Sequence, residues 1–438
     1  MRSRYAPDKK RWERLNRYRD EAGAWVDAGR EMDDGPVRLD NFSPENYLGN
    51  GTVLQRDVSK MPLDSQSATM AKFMWDISPF QPNGAFGSKT SLNTSKYGTH
   101  PVHTYVVDSS HPDMQWAQLD GVSGISGATE YENTKILSGL MPIMDWMYPA
   151  RMGDQGFGLY DLGTGIMREY FGMVHWEDGT WSDGGRMPAY GGYSQNSPGL
   201  RNLAKDNYGL QQKVGIATVS GMHNSIGFIG ITEALGRKIN HALCFTLASA
   251  RSWQRNNLTN LNQLVSWPSR LSDGKLERYI EGDPRRDPNR NAWTGIDITP
   301  THGQWARLKA DVDPMHNPRT SRPYKPLTRV LIDAAKTYGL VATDTNLWCH
   351  AFNGEQGLTW EQTFGQDPWT PGGPIEKMYR EDGLTQGSGL EVDDFPWDRT
   401  EWAPLDWGRP SPDWNIRPGT ETNRPWWSPT DPNRPSWK

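Results

Sequence analysis

The sequence predicts a mainly β protein, a jelly-roll-like β-sandwich with a few helices, an N-terminal helix and an extended C-terminal tail. Three observations carry that reading. Apolar residues make up only 35% of the 438 residues, while Gly (45), Pro (32) and Trp (21) are abundant. Such a mix suits short strands, many turns and cores built on large aromatics. Short β-type runs recur between turn signals, and few segments show helical spacing.

The N-terminal segment, residues 1–41, opens with a predicted helix from about Asp8 to Arg30. Asp8 follows Pro7 and is placed to cap it, and Trp12, Leu15, Tyr18, Ala22, Trp25 and Val26 form one stripe. Lys9, Lys10, Arg11, Arg14, Arg17 and Arg19 surround the stripe. It either packs on its own domain or docks into a neighbouring protein through Trp12, Leu15 and Trp25. Glu13, Asp20 and Glu21 among the basic residues argue against a membrane-surface helix.

Residues 42–364 are the predicted body. Its β-type runs are Val102–Val107, Phe157–Asp161, Met167–Val174, Leu243–Leu247, Ala306–Lys309 and Trp348–Phe352, with turns at Asp178-Gly179, Gly184-Gly185 and Asp273-Gly274. Two helices interrupt them. One runs from about Ser65 to Trp75, the other from about Pro326 to Tyr338, where Gly339 ends it. Cys244 and Cys349 each sit inside an apolar run. They read as two buried thiols, with a bridge between them left open, and they form no disulfide framework or metal motif.

Residues 365–438 form a tail in which Trp369, Trp397, Trp402, Trp407, Trp414, Trp426, Trp427 and Trp437 lie almost all near a proline. Proline removes backbone donors and tryptophan supplies contact area, so the tail is expected to run extended across a surface. That surface is its own domain or a neighbour, and Trp402, Trp407, Trp414, Trp426 and Trp427 are its candidate assembly contacts. Charge is uneven: residues 1–30 carry nine Lys/Arg against five Asp/Glu, and residues 366–438 carry eight against thirteen. Such separation suits docking onto complementary neighbours in an oligomeric assembly rather than nucleic-acid binding, which needs a dominant basic face. Every apolar run is too short to span a bilayer, and the N-terminus lacks the apolar core of a signal peptide, so neither membrane insertion nor secretory export is expected.

Between about residues 140 and 355 the order of short motifs resembles a jelly-roll-like domain of unassigned function shared by secreted bacterial proteins and minor tail proteins of actinobacteriophages. The pieces are Gly153-Asp154, Leu159-Tyr160-Asp161 with Gly163-Thr164-Gly165, Glu169-Tyr170-Phe171 and Asp178-Gly179-Thr180-Trp181. Then come Gly227-Phe228-Ile229, Thr232-Glu233, Ile239-Asn240-His241-Ala242-Leu243, Phe245-Thr246 and Ser266-Trp267-Pro268. Ala306-Arg307-Leu308-Lys309 and Ala335-Lys336-Thr337-Tyr338-Gly339 complete the order. The resemblance covers roughly half of the chain and implies a virion setting, with other phage tail proteins as partners and host cell-envelope polysaccharide as a possible ligand. Secreted relatives carry Gly-His-Met entering the first strand. Here Gly156-Phe157 stands without a histidine, which counts against an enzyme.

For chemistry, the candidate carboxylates are Asp161, Glu169, Glu177 and Asp178, with His175 beside them. A facing pair would suffice for glycoside hydrolysis, although acidic residues at a hairpin are also ordinary turn formers. The histidines, including His100, His103 and His111, lack a completing ligand for a metal site. No nucleophile elbow, Walker loop or dinucleotide fingerprint occurs, so neither a catalytic residue nor a cofactor is assigned. The candidate glycan-binding set is Trp176, Trp181, Tyr190, Tyr193, Glu177, Asp178 and His241. Sugar C–H patches stack on aromatic rings while hydroxyls bond amides and carboxylates. Aromatics filling a sandwich core, and a histidine fixing a loop, would look the same in sequence.

Overall fold

The computed structural model describes residues 35–38, 53–77, 90–94, 102–119, 139–150, 155–176, 179–182, 190–195, 218, 220, 222–225, 227–248, 250–251, 265–269, 299–345, 349–358, 360–361, 365–381 and 392–409. In chain order the elements begin with β1 (Val37–Arg38), a 3-10 turn (Val53–Gln55), α1 (Ser67–Ile77), β2 (Thr90–Asn93), β3 (Val102–Val107), β4 (Trp116–Leu119) and β5 (Gly139–Pro142). Next come β6 (Gly156–Asp161), β7 (Ile166–Phe171), β8 (Val174–His175), β9 (Trp181–Ser182), β10 (Tyr190–Gln195), α2 (Ile231–Gly236) and β11 (Leu243–Leu247). The last are β12 (Trp305–Leu308), α3 (Pro326–Thr337), β13 (Leu340–Thr345), β14 (His350–Asn353), α4 (Pro374–Glu381), a 3-10 turn (Trp397–Arg399) and β15 (Thr400–Trp402). The described fold is mostly sheet with few helices, and no barrel closes.

Three sheets result. The middle sheet runs β1-β3-β6-β7-β10, the large sheet β15-β12-β13-β11-β14-β2, and the small sheet β5-β4-β9-β8. All three are mixed or contain a parallel pair: β3 with β6, β11 with β13, β14 with β2, and β4 with β9. A purely hairpin-built sandwich would be antiparallel throughout. The parallel pairs therefore require crossovers, and α3 lies on the one between β11 and β13.

Strand alternation stacks these sheets into layers. On β3 and β6, Tyr105, Val107, Phe157 and Leu159 join Leu119, Met141 and Trp181 of the small sheet in one buried cluster. The intervening Val106 and Tyr160, with Met167 of β7, turn the other way and meet Cys244, Trp305 and Val341 of the large sheet. The far face of the large sheet sends Leu243, Phe245, Leu340, Ala342 and Phe352 into a third cluster with Met70, Leu327 and Leu331 of the helices. The order is small sheet, middle sheet, large sheet, helices.

Helix α3 forms where the sequence predicts it. Pro326 occupies its first turn, where a missing N–H costs nothing. Its inward stripe of Leu327, Leu331, Ile332, Ala334 and Ala335 is fully buried. Gly339, at φ 86°, reverses the chain into β13, and a Cβ there would lie 2.6 Å from the Ala306 carbonyl oxygen. Helix α1 begins two residues later than predicted. Helices α2 and α4 were missed because six and eight residues are too few for a periodic signal.

The expected boundary at 364 falls inside the folded body. Trp369, Ile375, Tyr379, Phe395, Trp397 and Trp402 all belong to the third cluster, and β15 pairs with β12 through Ala306↔Trp402 and Leu308↔Thr400. Trp402 is fully buried in the chain's own core, so it is not an assembly contact. Trp407 is partly buried, with Arg56 stacked 4.2 Å from its ring centroid and Trp305 edge-on at 5.7 Å. The boundary at 41 shifts likewise, because β1 pairs with β3. Trp12, Leu15, Trp25, Trp414, Trp426 and Trp427 lie outside the described residues. Cys244 and Cys349 are buried thiols, and neither forms a disulfide.

Candidate functional site

The small sheet is built asymmetrically. Its inner face is the aromatic cluster just described, and its outer face carries large apolar side chains in solvent. Leu119 of β4 pairs with Trp181 of β9, and Trp181 pairs with His175 of β8, so these three share the inner face. Trp181 is buried, and His175 stacks on it at 4.3 Å while its Nδ1 lies 2.8 Å from the Met147 carbonyl oxygen. One position along each strand, the direction reverses. Gln118 of β4 lies opposite Leu140 of β5, and the Trp176 N–H donates to the Thr180 carbonyl at 2.8 Å.

Leu140, Gln118, Thr180 and Trp176 therefore form one row across four strands on the outer face, and all four are exposed. Trp116 stands two residues before Gln118 on that face. Trp116 is 50% exposed, Trp176 43% and Leu140 63%. The strand spacing and rise put the two tryptophan backbones about 12 Å apart. Most of the described tryptophans are buried, and these two stand apart from them by their exposure.

The residues named from sequence divide. Trp176 is on this face. Trp181 is not, since it points into the core beneath, and that corrects its assignment as a ligand platform. Tyr190 and Tyr193 lie on β10, at the edge of the middle sheet rather than in the small one. Glu177 and Asp178 lie outside the described residues. His241 belongs to the region between α2 and β11, buried, with its Nε2 3.0 Å from Glu233 Oε1 and its Nδ1 2.8 Å from the Ala242 carbonyl oxygen. Glu233 also accepts the Gly230 N–H at 2.8 Å at the start of α2. The pair fixes that corner and lies apart from the tryptophans. Sequence reasoning missed Trp116, Gln118 and Leu140. Alternation along β4 and β5 was the available signal, but four-residue strands give too few repeats to reveal it.

The carboxylates of the middle sheet do not form a hydrolytic pair. Asp161 shares the parity of Phe157 and Leu159, whereas Glu169 shares that of Met167, so they point to opposite faces of the sheet. Asp161 accepts N–H groups of Ser109 and Gly163 at 3.0 Å and the Thr164 hydroxyl at 2.6 Å, which is a turn-fixing arrangement.

Glu169 is fully buried in the seam between the middle and large sheets. It accepts the Asn224 N–H at 2.8 Å, the Ser225 N–H at 2.7 Å and the Ser225 hydroxyl. With that hydroxyl donating to Glu169, Thr104 Oγ1 at 2.6 Å donates to Ser225. Asn353 Nδ2 donates to Asn224 Oδ1 at 2.6 Å, and Asn93 Nδ2 to Asn353 Oδ1 at 3.1 Å, which carries the chain of bonds into the large sheet. His223 Nδ1 stands 3.5 Å from Glu169 Oε2, an ion-pair distance rather than a good hydrogen bond.

Burial alone would raise the Glu169 carboxyl. The His223 charge and the Ser225 bonds outweigh it and hold the group below its ordinary range. A general acid needs the reverse shift and access to substrate. Cys244, on the facing strand, is pushed far up by burial and by the nearby Glu169 charge, so it stays a thiol rather than a nucleophile. Gly158 lies between Thr104 and Glu169 in the same row. A Cβ there would meet Thr104 Oγ1 at 2.4 Å. Among the described residues no His/Cys/Asp/Glu group is arranged to hold a metal, and no helix is long and apolar enough to cross a membrane. No family model matches the chain, and comparison with curated proteins and with solved structures returns no match.

Proposed function

We propose that this protein is a structural and adhesive subunit of a tailed-phage virion, holding host cell-envelope glycan on the outer face of its small sheet. One observation carries the adhesive part. Two half-exposed tryptophans share a face with exposed Leu140, Gln118 and Thr180, over a core that fixes the sheet from below. Indole faces meet the apolar patches of sugar rings, and amide and hydroxyl groups between them meet sugar hydroxyls.

The virion setting rests on the motif order from 140 to 355 and on the charge separation of the chain ends, which suits assembly with other tail proteins. The jelly-roll-like reading rests on the stacking of the middle and large sheets around a shared aromatic seam, with parallel crossovers as local elaborations. Hydrolysis is disfavoured by the opposed directions of Asp161 and Glu169 and by the depressed Glu169 carboxyl.

The test is a pull-down of the full chain, and of its Trp116→Ala/Trp176→Ala variant, on isolated actinobacterial envelopes, with released sugar assayed in parallel. The adhesive reading expects retention of the parent, loss in the variant and no sugar release. Oligosaccharide release would make the protein an enzyme. A parent that is not retained would leave a purely architectural subunit.

A further inference from the structure

We infer that residues 404–409 are a strap closing over a cage of three tryptophans, and that the Arg56 guanidinium is the cation that holds it shut. The cage is assembled from distant stretches of chain. Trp305 comes from β12, Trp267 from the segment 265–269 and Trp407 from the strap itself. The Trp267 and Trp305 rings lie within 20° of parallel, with centroids 6.5 Å apart, and Trp407 stands edge-on to Trp305. The Arg56 guanidinium lies 4.2 Å from the Trp407 ring centroid, 5.5 Å from that of Trp267 and 5.6 Å from that of Trp305. A guanidinium within about 6 Å of an indole is drawn to the negative face of the ring, more strongly where water is excluded. Its plane also stacks on the ring, which a lysine ammonium cannot do.

The strap is built to receive that group. Gly408 has φ 74°, and a Cβ there would run into the guanidinium, so glycine gives Arg56 its place. Asp406, at φ 59°, accepts the Trp267 N–H at 2.8 Å, while its own N–H donates to Ser266 Oγ at 2.9 Å. The same carboxylate lies 3.3 Å from Arg409. Asp406 thus sets the strap against the segment 265–269, and Arg56 meets the strap at the Trp407 ring and beside Gly408.

Burial separates the strap from the strand before it. β15 ends at Trp402, and the Ala403 N–H donates to the Trp305 carbonyl at 2.9 Å. Trp402, Ala403, Trp267 and Trp305 are buried, whereas Arg56, Asp406, Trp407, Gly408 and Arg409 are half-buried. Segments with few buried contacts open at lower free energy than the sheet they rest on. Opening the strap leaves β15 paired and uncovers the two inner indoles. Closing it fixes the place of Arg409, and so the point from which residues 410–438 continue.

The experiment is hydrogen exchange of the full chain followed by mass spectrometry. Peptides over 404–409, where the Asp406, Trp407 and Arg409 N–H groups are hydrogen-bonded in the closed strap, are compared with peptides over β12 and β13. Arg56→Met keeps an apolar stem without charge, Arg56→Lys keeps the charge without the plane, and Gly408→Ala crowds the guanidinium from the strap side. The expected result is exchange over 404–409 faster by about tenfold in Arg56→Met and Gly408→Ala. Arg56→Lys should fall between Arg56→Met and the parent, with β12 and β13 unchanged in all variants.

Parent-like protection in Arg56→Met would overturn the inference, because Asp406 and packing would then hold the strap without the cation. Equal opening in Arg56→Lys and Arg56→Met would overturn it as well, since charge would contribute nothing. Acceleration shared equally by β12 and β13 would make the cage part of the global core and leave no separate strap.

Discussion

The seam between the middle and large sheets and the outer face of the small sheet use opposite materials. The seam gathers Glu169, His223, Asn224, Ser225, Thr104, Asn353 and Asn93, every one buried. The outer face gathers Trp116, Leu140 and Trp176, every one in solvent. Reactive-looking side chains are inside, where they hold two sheets together, and core-like side chains are outside. A carboxylate that already accepts three hydrogen bonds and faces a histidine has little capacity left for chemistry. An indole exposed on a rigid sheet costs solvation, and neither Trp116 nor Trp176 belongs to a buried cluster of the described core. The direction of that mismatch between residue type and place is what separates scaffold from recognition surface.

The comparison breaks most severely if the scaffold is cut. A chain ending at 364 loses β15 together with Trp369, Phe395, Trp397 and Trp402, and we expect it not to fold. A chain ending at 409 should unfold cooperatively, as thermal denaturation followed by circular dichroism will report. Losing four large buried aromatics, at about 3–5 kcal/mol each when truncated, exceeds the whole stability of a typical domain.

Next in size is the seam. Glu169→Ala strands two backbone N–H groups and the His223 imidazole, and should cost about 3–5 kcal/mol in denaturant titration. The pH dependence has a fixed sign. The Glu169 carboxyl is held below its ordinary value of 4.5 in the folded chain. Its contribution is therefore complete at neutral pH and is lost as pH falls below that value through the depressed one. Glu169→Gln should flatten this acid limb while lowering stability at pH 7. An unchanged acid limb would mean that the seam does not depend on the ionised group. Gly158→Ala, which pushes a methyl group onto Thr104, should cost about 1–3 kcal/mol by overpacking.

How much of this was legible in the sequence follows from the length of each signal. Val102–Val107 and Leu243–Leu247 are strands with the predicted bounds, because five or six β-type residues between turns suffice. Helix α3 was legible from Pro326, its stripe and Gly339. The tail was misread because proline content argues for an extended chain, whereas Trp369, Trp397 and Trp402 are held by the large sheet and the helices. Contacts distant in sequence, such as Trp397 Nε1 to Thr90 Oγ1 at 2.6 Å and the pairing of Trp402 with Ala306, reveal that. Trp176 and Trp181 looked equivalent, being five residues apart around a turn. Pairing across β8 and β9 puts one outside and one inside, and no local pattern encodes which.

The smallest stability effect tests the comparison most sharply. Trp116→Ala and Trp176→Ala remove the largest side chains of the outer face, yet each should change the unfolding free energy by only about 0.5 kcal/mol or less, as surface substitutions do. Trp181→Ala, on the same sheet but facing Phe157 at 5.0 Å between ring centroids, should cost about 3–5 kcal/mol. Parallel denaturation of the three variants measures both. If Trp176→Ala destabilises as much as Trp181→Ala, the outer tryptophan is part of the core and the face is not a recognition surface. If Trp176→Ala leaves stability intact and abolishes envelope retention, the exposed part of that indole serves the ligand rather than the fold.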